Sequence, residues 1–140
     1  MNIYLIIILS IIVIEYLLNL IVERLNVKHA SSELPSEFEG FYDAQKYKLA
    51  QLYLKENTNF HLTKDTISVI ITLTFVLAGG FNFIDNIARS FNQGPIITGL
   101  IFTGILGAAL QLLSIPFSAY HTFVIETKYG FNKTTFKTFI

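Results

Sequence analysis

Three histidines are the first residues to test for chemistry, because imidazole is the commonest metal ligand and a ready general base. They stand as His29-Ala30, Phe60-His61-Leu62 and Tyr120-His121-Thr122, 32 and 60 residues apart. A helical zinc site of the His-Glu-x-x-His type needs two imidazoles one turn apart and a carboxylate beside them to activate water. None of the three histidines has a Glu and a second His at that spacing. We therefore assign no metal ligand and no catalytic residue in this chain. No Gly-rich phosphate loop and no G-x-S-x-G nucleophile elbow occurs either. With no cysteine there is no disulfide scaffold and no thiolate-bound zinc or iron–sulfur centre. His29 and His61 are expected to be solvated loop residues, and His121 a hydrogen-bonded residue near the membrane surface.

The remaining candidates are polar residues inside apolar runs. Glu15 and Asn19 are one helical turn apart, with Glu23 one turn further on. An ionisable side chain within a membrane span costs about 2.5–3.5 kcal/mol on insertion scales, so it must face protein or water. Two readings stay open for Glu15 and Asn19: hydrogen bonding to a neighbouring helix, or the wall of a wet chamber. Gln111, and more weakly Ser68 and Thr72, are candidates for the same wall. Glu126 and Lys128 are two residues apart and cannot pair with each other on a helix, so each is expected to find a partner elsewhere. Asn132-Lys133-Thr134 matches a glycosylation sequon and is read as chance, because its predicted location is cytoplasmic.

The elements that must position these residues are membrane helices. The chain has 140 residues, 52% hydrophobic and 14% charged, with ten basic and ten acidic side chains. Its mean hydropathy is +0.53. The balanced charge offers no basic excess for nucleic acid, so none is expected as a partner. Ile3 to Val22 is a 20-residue run whose only charge is Glu15, long enough to cross a hydrocarbon core of about 30 Å. No basic n-region precedes it and no small-residue cleavage site follows, which predicts a retained span rather than a signal peptide. Thr66 to Ile84 is a second uncharged run with Gly79-Gly80 inside it, read as a close-packing feature, with a hinge as the alternative. Ile96 to Phe117 is the third; Gly99, Thr103 and Gly107 form a small-residue stripe that continues to Gln111, and Pro116 is expected to kink or end it.

Residues 23–65 are different material. They carry Arg24, Lys28, Lys46, Lys48, Lys55 and Lys64, six of the ten basic residues. Asp43 is a plausible N-cap for an amphipathic helix reaching about Glu56. Its greasy face, with Leu49, Leu52 and Tyr53, packs on its own protein, lies in a membrane interface or touches a substrate. Asp85 to Gly94 is expected to be a short polar turn with one basic residue, Arg89. Three lysines follow residue 117. The bias of Lys and Arg predicts a multi-pass protein in the lipid bilayer, with loop 23–65 and the 118–140 tail cytoplasmic and the N-terminus outside. The expected fold is thus an all-α integral membrane helical bundle: spans at about 3–22, 66–84 and 96–117, plus the cytoplasmic helix of the first loop.

Two segments resemble signatures of the integral-membrane CAAX prenyl protease family. The first loop carries Leu34, Pro35, Glu37, Gly40, Tyr42, Asp43, Lys46, Tyr47, Tyr53, Glu56, Asn57 and Thr58. The segment after the third span carries Phe123, Val124, Ile125, Glu126, Lys128, Gly130, Phe131, Asn132 and Thr135. Thr127 stands where the family usually has a second Glu, and Tyr129 where many members have His. The two motifs occur in the right order around two spans. The resemblance implies a seven-helix bundle around a water-filled chamber, of which this chain would be the N-terminal portion. It further implies that the full-length protein is a zinc metalloendopeptidase removing the C-terminal tripeptide of prenylated proteins or related peptides. The zinc would be held by the remainder of the same protease and none by this chain, which would be inactive alone. The rival expectation is a non-enzymatic three-span scaffold or assembly subunit.

Overall fold

In a computed structural model the described residues are 2–31, 33–38, 40–41 and 43–139. Among them every regular element is helical: α1 (Ile3–His29), a 3₁₀ turn (Ser36–Phe38), α2 (Ala44–Leu77), α3 (Gly80–Ser90), α4 (Pro95–Tyr120), a π-helical turn (His121–Glu126) and α5 (Phe136–Phe139). Among the described residues three helices are long and apolar enough to cross a membrane: α1, α2 and α4 with its π-helical extension. The chain forms two compact units, residues 1–69 with 119–140, and residues 70–118.

α1 starts where the Asn2 side chain accepts the Tyr4 N–H, and ends with Lys28 and His29 in its last turn, where positive charge suits the exposed carbonyls. It extends seven residues past the apolar run. No α1 residue is buried; Ile7, Ile14 and Leu18 are each about half exposed. Among the described residues only Thr58, Ile84, Ala88 and Ile125 are buried. So much open apolar surface on helices of this length requires lipid or further protein around it.

Asp43 begins α2, its Oδ1 accepting from Gln45 N (2.8 Å) and Lys46 N (3.3 Å). α2 then departs from expectation. The loop helix and the second span are one rod of 34 residues, roughly 51 Å at 1.5 Å per residue. Residues 57–65 hold no Gly or Pro to break it. Thr63 and Thr66 return their hydroxyls to the carbonyls of Asn59 (2.9 Å) and Leu62 (2.7 Å), so polar side chains are satisfied without leaving the helix. His61 consequently lies in mid-helix, not in a loop.

The rod stops at Leu77 because Gly79 adopts φ +75°, a left-handed value that favours glycine. The Gly79-Gly80 pair is thus a helix boundary inside the stretch expected to run straight to Ile84. Gly80 has its own reason: a Cβ there would overlap the Phe75 ring. Asp85 to Ser90, expected in a turn, is instead helical. Phe81, Ile84, Ala88 and Phe91 recur at helical steps, and Ile84 and Ala88 are the buried ones. Pro95 opens α4 in the position where its missing N–H costs nothing. Pro116, expected to kink or end the helix, lies inside α4, which continues to Tyr120 and on into the π-helical turn. Pro is tolerated in membrane helices where local readjustment satisfies the freed carbonyls.

Candidate interhelical clamp and intramembrane groove

Tyr53, Glu56, Asn57, Phe60 and His61 recur at three- and four-residue steps, so α2 presents them on one face. The segment that follows α4 meets that face. Glu56 Oε2 accepts from both Lys128 Nζ (2.6 Å) and the Tyr129 hydroxyl (2.6 Å). Asn57 Oδ1 lies 2.7 Å from His121 Nε2, so Nε2 carries the proton and donates. His121 Nδ1 in turn faces Glu126 Oε1 at 3.6 Å. Rings fill the space around these bonds. Tyr53 meets Tyr129 and Phe131 edge-on, with centroids 5.2 and 4.9 Å apart, and Phe60 stacks on Tyr120 at 5.5 Å.

The tail is shaped to deliver these side chains. In the π-helical turn the Thr127 hydroxyl reaches back five residues to Thr122 O (3.3 Å), and Ile125 is 1% exposed. The helix then closes in a Schellman motif. Gly130 has φ +77°, Phe131 N donates to Glu126 O (2.9 Å) and Gly130 N to Thr127 O (3.2 Å). Asn132 fixes the exit, its Nδ2 on Thr127 Oγ1 (2.9 Å) and its Oδ1 accepting Thr134 N (2.7 Å).

Electrostatics follow from the shared acceptor. The Glu56 carboxylate beside Lys128 raises the pKa of that ammonium above its usual value, chiefly through their hydrogen bond. The same carboxylate, accepting a hydrogen bond from the phenolic hydroxyl, raises the pKa of Tyr129. Glu126 and Lys128 thus have separate partners, His121 and Glu56.

The intramembrane candidates separate. Glu15 and Asn19 border a groove of about 530 Å³ with Tyr16 on α1 and Asp65 and Ser68 on α2. Asn19 Nδ2 is 3.5 Å from Asp65 Oδ2, and the Tyr16 hydroxyl is 2.8 Å from Thr66 Oγ1. Gln111 is exposed on α4. A Cβ added at Gly99 or Gly107 meets nothing within 4 Å, so the small-residue stripe has no partner among the described residues. Tyr42 lies outside the described residues. Asp43 acts as the α2 cap, and Tyr47 follows it in the first turn.

Sequence reasoning missed Asp65, Tyr16 and Thr66 as the groove's polar partners, and it missed the pairing of Glu56 with Lys128 and Tyr129. The helical spacing of Tyr53, Glu56, Asn57 and Phe60 was a visible signal. Their partners lie 64 to 73 residues away, and no spacing in the chain ties the two sets together.

Among the described residues no donor set is gathered in the way a catalytic zinc requires. His61 and His121 rings come within 5.7 Å, but among the described residues no three His, Cys, Asp or Glu side chains converge to hold an ion. Three protein ligands are the usual minimum for catalytic zinc.

Comparison with known proteins gives one consistent result. Residues 23–140 match the family model described as CAAX prenyl protease N-terminal, five membrane helices. The probable CAAX prenyl protease 1 of Schizosaccharomyces pombe is 29% identical, over 90% of this chain and 30% of the relative. The CAAX prenyl protease 1 homolog of Mus musculus is 28% identical, over 79% of this chain and 25% of its own length. The crystal structure of S. mikatae Ste24p superposes with a TM-score of 0.85 at 22% identity, over 98% of this chain and 33% of that one. The chain thus spans about a third or less of the length of these relatives.

Proposed function

The chain belongs to the CAAX prenyl protease N-terminal family, and on that premise we propose that it is the N-terminal membrane domain of a zinc-dependent CAAX-type prenyl endopeptidase. It supplies chamber wall and scaffold, and the zinc centre lies in the remainder of the protease. The observation that carries this reading is the clamp. It joins residues of the two family signatures, Glu56 and Asn57 from the first and Lys128 from the second, through side-chain hydrogen bonds, which supports a scaffolding role. Glu15, Asn19 and Ser68 form part of the chamber wall, where a polar groove between two spans keeps water or a peptide in reach.

Purified residues 1–140 are expected to retain less than stoichiometric zinc after dialysis and to leave a farnesylated CAAX peptide intact. Co-expression with the remainder of the gene, where the two parts assemble, should give cleavage that a chelator abolishes. Chelator-sensitive cleavage by residues 1–140 alone would overturn the assignment.

The same reading places loop 23–65 and the tail in the cytoplasm. Single cysteines at Ser32, Asn92 and Thr134 test it in intact cells. A membrane-impermeant thiol reagent should label only position 92; labelling at 32 or 134 reverses the orientation.

A further inference from the structure

The tail beyond the clamp has chemistry that the clamp does not use. After Glu126 no acidic residue occurs through Phe139, while Lys128, Lys133 and Lys137 do. Lys128 is held by Glu56. Lys133 and Lys137 are exposed and, among the described residues, have no acidic partner. Interleaved with them are Phe131, which one edge of the clamp touches through Tyr53 but which is still 54% exposed, and Phe136, 68% exposed. This strip is not a free arm. Phe139 meets Phe123 edge-on at 5.2 Å and Phe136 lies 6.0 Å from the same ring. The strip is therefore anchored to the end of the helix that α4 begins, a few residues from where an apolar span must leave the bilayer.

Held there, exposed aromatic rings suit the headgroup level of a bilayer, and lysines on flexible stems reach past them to the phosphates. An uncompensated positive strip selects anionic over zwitterionic headgroups. We propose that residues 131–139 form an interfacial anchor that binds anionic lipid headgroups, with Phe131 and Phe136 seated in the interface and Lys133 and Lys137 on the headgroup charge. The inference rests on α4 crossing a bilayer and is independent of any protease activity.

The chain contains no tryptophan, so Phe136→Trp places a single indole fluorophore in the strip with little change in shape. The protein would be placed in phosphatidylcholine nanodiscs with and without phosphatidylserine, with brominated acyl chains as quencher. Quenching of the indole in Phe136→Trp should rise by roughly twofold when the anionic lipid is present. The rise should disappear when Lys133→Gln and Lys137→Gln are added, and at about 1 M salt, where screening is nearly complete. A separate Leu110→Trp variant, at an exposed position of α4, reports the span itself and should be quenched equally in both bilayers. Equal quenching of Phe136→Trp with and without phosphatidylserine, or a rise that survives loss of both lysines, would refute the anchor. Failure of Leu110→Trp to be quenched would instead refute the span on which the anchor rests.

Discussion

Residues 1–69 with 119–140 and residues 70–118 are both helical and both largely exposed, yet each is held together internally by different means. In the first unit side-chain bonds join residues 46 to 73 positions apart, among them Asn19–Asp65, Tyr16–Thr66, Asn57–His121 and Glu56–Tyr129. In the second unit the described side-chain bonds are local, from Thr74 to Ile70 O through Arg89–Asp85 to Ser114 on Gln111 O. Its burial rests on Ile84 and Ala88. Polar bonds between helices favour one register, because a shifted helix would separate each donor from its acceptor. Apolar side chains facing lipid impose no such register. The first unit therefore specifies its own geometry, whereas the second requires lipid or further protein to define its packing.

The sharpest way to break this comparison is to truncate one buried side chain in the first unit and one exposed side chain in the second. Ile125→Ala should lower stability by about 2–5 kcal/mol, read by thermal unfolding in detergent, since Ile125 is 1% exposed. Ile115→Ala, at 43% exposure, should stay within about 0.5 kcal/mol. Equal losses would mean that the second unit has a core of its own.

A smaller effect, of opposite sign in the two units, is expected from glycine. Gly130→Ala places a Cβ at φ +77°, where an L-residue is disfavoured by about 1–2 kcal/mol. Gly107 is helical and a Cβ there meets nothing within 4 Å, so Gly107→Ala should stabilise residues 1–140 by up to about 1 kcal/mol. Destabilisation by Gly107→Ala would show that the stripe already has a packing partner.

This contrast also explains what the sequence revealed. The apolar runs disclosed three long helices because length and composition decide that property, and Asp43 disclosed its cap because capping is local. The family motifs were legible as strings. The continuity of α2 through residues 57–65 was hidden because polar residues there suggested a loop, while the absence of any breaker was the stronger fact. The helix boundary at Gly79 depended on a left-handed φ, and glycine permits that value without requiring it. The two partners of Glu56 depended on bringing residues 72 and 73 positions away onto one face, which periodicity along the chain does not encode.

Glu56 locks the tail to α2 by accepting two hydrogen bonds at once, from Lys128 and from Tyr129. Thermal unfolding of the wild type, Glu56→Gln, Tyr129→Phe and the double variant, followed as pH rises, tests this lock most directly. Lys128 and Tyr129 both have raised pKa values in the folded state. The stability they contribute is fully present below their unfolded values of about 10, and is lost as pH rises through the folded ones. The double variant should be little less stable than Glu56→Gln alone, and the wild type should lose more stability above about pH 10 than Glu56→Gln does. Strictly additive losses, with the same alkaline limb in all four proteins, would contradict the lock.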